Sequence, residues 1–170
     1  MFNIKKRYGG NNIMTIKAIP DGYHSVTPYL SIKGAADAIE FYKKAFDAVE
    51  LFRLDMPGGE IGHAEIKIGN SRIMIADSCD DVSFGDPKTL GASTVGLYLY
   101  INDVDAMYSQ AVAAGAKTVQ PVEDQFYGDR IGTIEDPYGH RWFLATHKEE
   151  LSPEELNKRA EEIFKQDASD

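Results

Sequence analysis

The order strand, helix and three strands occurs twice along this chain of 170 residues, and this duplication constrains the fold more than any other feature. The run YLSI at 29–32 returns as YLYI at 98–101, about 69 residues further on. A repeated unit of this length predicts two similar modules within the chain.

The first copy shows the two periodicities of regular structure. Leu30 and Ile32 alternate with polar neighbours, which predicts a half-buried strand. Ala38, Ile39 and Tyr42 recur at helical spacing, which predicts a helix with one apolar side. The predicted elements are a strand over 26–32, a helix over Ala35–Phe46, and strands over Val49–Asp55, Ile61–Ile68 and 72–77.

The second copy repeats this order. Gly115 ends the predicted helix, and the Asp-Pro-Tyr-Gly run at 136–139 has the residue placements of a type I turn. The predicted elements are a strand over 94–101, a helix over Val104–Ala114, and strands over 117–123, Asp129–Glu135 and 141–146.

Segments without periodicity separate these units. We therefore predict an α+β protein with a lead-in at 1–22, modules at 23–77 and 94–147, a polar linker at 78–93, and a C-terminal helix and tail at 148–170. Met14 is an alternative start to Met1. Ser152, Pro153 and Glu155 form a capping-box pattern at the start of the last helix.

Composition excludes several classes of function. Eighteen Lys and Arg residues against 27 Asp and Glu residues give a formal charge of −9, which argues against nucleic-acid binding and against a polybasic membrane anchor. No apolar run approaches the roughly 18 residues of a membrane span. The single cysteine, Cys79, cannot form a disulfide within the chain. From this composition we expect a cytoplasmic protein.

Three segments carry a resemblance to a known family. They read VTPYLSIKGAADAIEFYKKAF, GHAEIKIGNSRIMIAD and PVEDQFYGDRIGTIEDPYGHRWFLATH. With the duplicated strand order, they resemble the vicinal oxygen chelate superfamily of glyoxalases, extradiol dioxygenases and bleomycin-resistance proteins, and within it the PhnB-like branch. The resemblance implies a curled, cup-shaped mixed sheet with helices outside, a small molecule or metal inside, and a homodimer.

The resemblance also allows a test for the family's metal site. Metal-dependent relatives take His and Glu ligands from the first and fourth strands of each module. In this chain the matching positions hold Thr27, Ala76, Gly96 and Phe143. Because these side chains lack strong donors for a divalent ion, we expect no metal and no other cofactor at this place. The alternative is a divalent metal at a non-standard site that includes His63 and Glu65, which share the strand face turned toward the cup; the simpler interpretation is a polar pair lining the cavity.

The remaining candidate residues describe a cup with aromatic and polar walls. Aromatic rings bury planar ligands, and an arginine binds carboxylate, phosphate or phosphonate groups. For the tyrosines the alternative is packing between the halves of the sheet. For Arg130 it is an ion pair with Asp129 or Glu135. We expect a small organic ligand, anionic or aromatic, to contact Tyr29, Tyr98, Tyr100, Gln125, Tyr127, Arg130, Arg141 and Phe143.

Three functions fit these features. The first is a metal-free binding protein. The second is a lyase or isomerase in which His63 and Glu65 act as general base and Arg130 stabilises an oxyanion. The third is an interaction module that uses the C-terminal helix. We further expect His140 and His147 at the surface and Trp142 in the core.

Overall fold

A computed structural model describes residues 16–78 and 85–167. The predictions that concern Met1, Met14, Cys79 and most of the lead-in lie outside the described residues.

Both copies fold into the predicted order of elements. Each forms a four-stranded mixed sheet in which the first strand runs parallel to the fourth, and the sheet orders are β1-β4-β3-β2 and β5-β8-β7-β6. The two-module α+β fold is thereby confirmed. The elements are β1 (Tyr29–Ile32), α1 (Ala35–Phe46), β2 (Val49–Asp55), β3 (Ile61–Ile68), β4 (Ser71–Asp77), α2 (Pro87–Leu90), β5 (Gly96–Tyr100), α3 (Val104–Ala114), β6 (Lys117–Asp124), β7 (Asp129–Glu135), β8 (Arg141–His147) and α4 (Pro153–Asp167).

The bounds of some elements differ from the sequence-based prediction; β5, for example, spans Gly96–Tyr100 instead of 94–101. Strand β1 begins at Tyr29 instead of residue 26; Pro28, just before it, accepts a hydrogen bond from the Met74 amide but has no N–H to donate. The predicted linker also contains one helical turn, α2. The Asp86 carboxylate caps this turn by accepting hydrogen bonds from the amides of Lys88 and Thr89.

The core lies between the modules and is built around the helices. Helix α1 packs against α3, and Tyr42 and Phe46 of α1 also reach Trp142 on β8, with ring centroids 5.5 and 4.6 Å apart. Trp142 is buried, as predicted. The Asp136 carboxylate accepts hydrogen bonds from the Tyr42 hydroxyl and the Trp142 indole, at 2.7 and 2.9 Å. The Asp-Pro-Tyr-Gly turn is thereby tied to the first module.

The two sheets remain separate and are not closed into one cup within the chain. Because α1 and α3 lie between the modules, each sheet buries one face against the helices. We call the opposite face of each sheet its outer face. Among the described residues, no helix is long and apolar enough to cross a membrane.

Helix α4 is attached by polar contacts. The Ser152 hydroxyl accepts a hydrogen bond from the Glu155 amide, as the cap pattern predicts. Arg159 donates to both oxygens of Glu149 at 2.8 Å. It also donates to the Glu155 carboxylate at 3.1 Å. Phe164 remains exposed.

Candidate functional site

The outer face of the second sheet collects most of the predicted ligand-binding residues. On β8, Trp142 and Leu144 point into the core, so Phe143 points outward. The strand register sets Tyr98 of β5 and Thr133 of β7 beside Phe143, which produces one row across the sheet.

Aromatic rings dominate this row. The rings of Tyr98 and Phe143 stack, with centroids 5.9 Å apart and an angle of 11° between their planes. Tyr100 continues the series, 4.9 Å from Tyr98. A cavity of about 510 Å³ opens beside the stack, and its lining includes Gln125 and Tyr127, two of the expected ligand contacts. The lining consists of Tyr98, Gln120, Pro121, Glu123, Gln125, Tyr127, Ile131, Thr133 and Phe143.

Asp129 anchors the tyrosines and was missed by the sequence analysis. It is buried, and its carboxylate accepts hydrogen bonds from the hydroxyls of Tyr98 at 3.0 Å and Tyr100 at 2.9 Å. Its other oxygen lies 2.8 Å from Nδ1 of His147. His147 is the last residue of β8, and this contact makes it part of the cluster, although its side chain is half exposed. Asp129 belongs to the same FYGDR run as Arg130, and this run was the available signal in the sequence.

The pKa shifts follow from these contacts. Burial raises the pKa of Asp129, but the hydrogen bonds from His147 and the two tyrosines outweigh it and lower the pKa overall. Burial and the hydrogen bond to Asp129 raise the pKa of Tyr98. The hydrogen bonds to Asp129 and Glu150 raise the pKa of His147. Both tyrosine hydroxyls therefore stay protonated and remain donors at neutral pH.

A second cavity, of about 700 Å³, lies at the other end of β8. Arg141 reaches it and donates to Glu135 at 3.2 Å. Phe143 forms a wall of both cavities. The remaining lining residues come from α2, from the segment that leads into β5, from the end of β7 and from the turn before β8. They are Pro87, Lys88, Gly91, Ala92, Ser93, Thr94, Val95, Gly96, Glu135 and Gly139.

The family's metal positions do not fit a chelated divalent ion. A Cβ atom at Gly96 would collide with the Phe143 ring, so this ring fills the space that a ligand from β5 would need. The register also corrects one assignment. Tyr29 pairs with Met74 as Tyr98 pairs with Phe143, so Met74, and not Ala76, corresponds to Phe143.

Neither Met74 nor Ala76 offers a carboxylate or imidazole. Within 16–78 and 85–167, no group of three or more His, Cys, Asp or Glu side chains is placed to hold a metal ion.

His63 and Glu65 lie together on the outer face of the first sheet, with Nε2 and Oε1 3.6 Å apart. Glu65 is also bound to Arg72 at 2.8 Å and to the Tyr23 hydroxyl. The hydrogen bonds from Tyr23 and Arg72 outweigh burial and lower the pKa of Glu65. The His63 ring meets the edge of Tyr29, with centroids 5.7 Å apart. Tyr29, His63 and Glu65 thus form a separate cluster and line neither cavity.

Arg130 does not lie on the outer face of the second sheet. Because side chains alternate along β7, Asp129 points outward and Arg130 points toward α3. There it donates to both oxygens of Asp105, at 2.7 and 2.8 Å, and to Asp124 at 3.2 Å. Arg130 therefore lines neither cavity, and its ion pairs are with Asp105 and Asp124 instead of Asp129 or Glu135. His140, expected at the surface, is buried beside Asp136, and its Nδ1 has no hydrogen-bond partner.

Comparisons with known proteins agree with this architecture. Residues 24–144 match the model of the glyoxalase/bleomycin resistance protein/dioxygenase superfamily. An uncharacterized protein of Mycobacterium tuberculosis is 40% identical over 135 residues, which cover 78% of this chain and 79% of that protein.

Two solved structures share the fold. One is the Arabidopsis thaliana gene product At5g48480, with a TM-score of 0.57 and 27% identity over 72% of this chain and 98% of that one. The other is a PhnB protein of Bacillus cereus, with a TM-score of 0.56 and 22% identity over 72% of this chain and 99% of that one. The chain belongs to the glyoxalase/bleomycin resistance protein/dioxygenase superfamily.

Proposed function

We propose that this protein binds a small organic molecule with a planar group on the outer face of its second sheet. The observation that carries the proposal is the stacked pair Tyr98 and Phe143 beside a cavity of about 510 Å³. Small-molecule sites combine apolar walls with a few polar groups that orient the ligand. Here the rings provide the wall, and Gln120, Gln125 and Thr133 provide the polar groups.

The tyrosines are held in place before any ligand arrives. Their hydroxyls are bound to Asp129, which is itself buried and bound to His147. A rotamer that is already fixed loses little entropy on binding, so such a wall favours affinity. The cavity contains no arginine or lysine in its lining, which favours an uncharged aromatic ligand over the anionic one first expected.

The proposed binding does not use the family's metal. The ring of Phe143 occupies the space beside Gly96, and the other matching positions lack imidazole and carboxylate groups. Elemental analysis of the purified protein tests this point. A divalent metal bound in a stoichiometric amount would contradict it.

We also propose that two copies of the chain form a dimer in which the outer faces of the sheets in one copy are covered by the other copy. The first sheet supports this idea. Its edge strand β2 exposes Val49, Phe52 and Leu54 by 56, 51 and 52%. Several neighbouring apolar side chains left in water indicate an interaction surface. Sedimentation equilibrium of the wild type and of a Phe52→Asp, Leu54→Asp variant tests the association; a wild-type monomer at micromolar concentration would contradict it.

The glyoxalase-type lyase or isomerase is less well supported. Glu65, its proposed base with His63, has a lowered pKa and is engaged by Arg72 and Tyr23. Arg130, its proposed oxyanion partner, faces the helices. Ligand binding therefore agrees better with the geometry than acid–base catalysis does.

Titration with quinoline, a planar uncharged probe, tests the binding site by NMR. We expect saturable shifts at amides around Tyr98, Thr133 and Phe143. Tyr98→Leu should weaken binding about tenfold because the stacking ring is lost, whereas Tyr98→Phe should retain most of it. Val112→Ala on α3 is the control for a change outside the cavity. Equal affinity in the wild type and Tyr98→Leu would contradict the proposal.

A further inference from the structure

The internal duplication extends further back than the first strand of each module. Gly22 and Gly91 are separated by the same offset as Tyr29 and Tyr98, about 69 residues, and both have a left-handed backbone, with φ of 81° and 80°. Four positions later, Val26 and Val95 are both exposed. The next residue after each glycine differs between the modules: it is Tyr23 in the first and Ala92 in the second.

In the first module, the tyrosine lies against an arginine. The Tyr23 ring lies under the guanidinium carbon of Arg72, with 4.5 Å to the ring centroid. Its hydroxyl is bound to Glu65, and this hydrogen bond raises the pKa of Tyr23. Arg72 in turn donates to Glu65 at 2.8 Å. A phenol ring is thus held by a stacked guanidinium and a carboxylate.

The second module repeats the arginine and omits the ring. Arg141 stands at the position of Arg72, because each lies two residues before the partner of a matched tyrosine on the first strand. Arg141 is held by the carboxylate of Glu135, which lies directly opposite it on β7, whereas Glu65 lies two residues from the position opposite Arg72 on β3. The residue at the position of Tyr23 is Ala92, and there the second cavity of about 700 Å³ opens, lined by Ala92, Glu135 and Arg141.

We propose that this second cavity binds the phenol ring of a small ligand, stacked on the guanidinium of Arg141 with its hydroxyl donated to Glu135, as the chain's own Tyr23 is bound in the first module. This proposal rests on the proposed function, because both assume that a small molecule binds on the outer face of the second sheet. It adds a second site and names the chemical group that the site takes.

The chemistry of the cavity favours a phenol over a carboxylate or phosphate. The Arg141 charge is already paired with Glu135, so an anion would have to compete with that carboxylate. The flat face of a guanidinium remains suited to an aromatic ring even while its edge is bonded. Phe143 supplies an apolar wall for the rest of the ring.

The test is an NMR titration of the full chain with 4-methylphenol, the side chain of tyrosine as a free molecule. We expect one saturable site that shifts the amides of 92–96. Ala92→Tyr should supply the ring from the chain and abolish this binding, while Ala92→Ser is the matched control and should leave it unchanged. Toluene, which lacks the hydroxyl, should bind about tenfold more weakly.

The duplication provides a converse experiment. Tyr23→Ala should open the equivalent space over Arg72, so the variant should bind a second equivalent of 4-methylphenol and shift amides near Gly22 and Arg72. If Tyr23→Ala does not fold, as judged by the dispersion of its amide spectrum, Ala92→Tyr alone decides.

Two results would overturn the inference: unchanged 4-methylphenol binding in Ala92→Tyr, or no second equivalent in a folded Tyr23→Ala protein. Quinoline binding beside Tyr98 and Phe143 separates this outcome from a failure of the proposed function. If quinoline still binds there, only the phenol site is wrong.

Discussion

Asp77 and Thr146 occupy the same position in the two modules, and each binds the start of its module's helix from the end of the last strand. The Asp77 carboxylate accepts hydrogen bonds from the amides of Gly34 and Ala35 at 2.9 Å, where α1 has no side-chain cap of its own. The Thr146 hydroxyl accepts one from the Val104 amide at 2.9 Å, at the start of α3. The strand end thus fixes where each helix begins.

We expect Asp77→Ala to lower the free energy of unfolding by about 2–3 kcal/mol, because the amides of Gly34, Ala35 and Ile61 all lose their acceptor. Thr146→Ala should cost about 1 kcal/mol, and Thr146→Ser should cost less because it keeps the hydroxyl. Urea unfolding monitored by Trp142 fluorescence measures these differences. Equal stability of Asp77→Ala and the wild type would show that water replaces the carboxylate.

Asp136 should be among the most sensitive positions of the core. Its buried carboxylate accepts from Tyr42, Trp142 and the backbone amides of Tyr138 and His140. Asp136→Ala leaves these donors unpaired, and we expect a loss of about 3–5 kcal/mol. Asp136→Asn keeps the shape and some of the acceptor capacity, so it should lose less. Denaturation midpoints of the two variants provide the comparison.

The contact of Gly96 with Phe143 predicts a pair of coupled substitutions. Gly96→Ala should destabilise the protein by about 1–3 kcal/mol, because its Cβ would collide with the ring. In Phe143→Ala the ring is absent, and the added methyl group at 96 should then have little effect. A double-mutant cycle measures the coupling. Additive effects would mean that the ring moves aside at little cost.

The pairing of His147 with Asp129 predicts a dependence of stability on pH. The pKa of His147 is raised in the folded protein, so its contribution is fully present below its unfolded pKa of about 6.5 and is lost as pH rises through the folded value. The stability difference between the wild type and His147→Gln should therefore decrease as pH rises above about 6.5. Chemical denaturation of both proteins at several pH values checks this sign; a difference that grows with pH would contradict it.

The two partners of this pair act in different pH windows. The pKa of Asp129 is lowered, so its contribution is present above its unfolded value of about 3.9 and is lost as pH falls through the folded value. Asp129→Asn should remove the part of the stability loss at acid pH that comes from Asp129, whereas the other carboxylates still contribute theirs. An NMR titration of the His147 ring in the wild type and in Asp129→Asn gives an independent measure, because the pKa of His147 should fall when its partner loses charge.

Strand and helix positions were predictable because the signal for them is local. After Ile61, the apolar residues of β3 occupy one face, at Ala64, Ile66 and Ile68, so alternation assigns His63 and Glu65 to the other face. The duplication then fixed the order of elements and pointed to a fold family. Such patterns extend over a few residues and are readable without a partner element.

Strand β7 shows where that reasoning ends. Both of its faces carry isoleucine, at Ile131 and Ile134, so the sequence assigns Asp129 and Arg130 to opposite faces without saying which face meets the helices. Packing against α3 decided it, and the expected ligand arginine became a partner of Asp105.

The duplication, the element order and the family were determined by the sequence itself, because they depend on which residue stands at each position. Other features depend on contacts between distant segments. They are the side of the sheet on which Arg130 lies, the burial of Asp129, and the stacking of Tyr23 on Arg72 where the second module has a cavity beside Arg141. Only tertiary packing determines such contacts, because many different neighbours could satisfy the same local pattern.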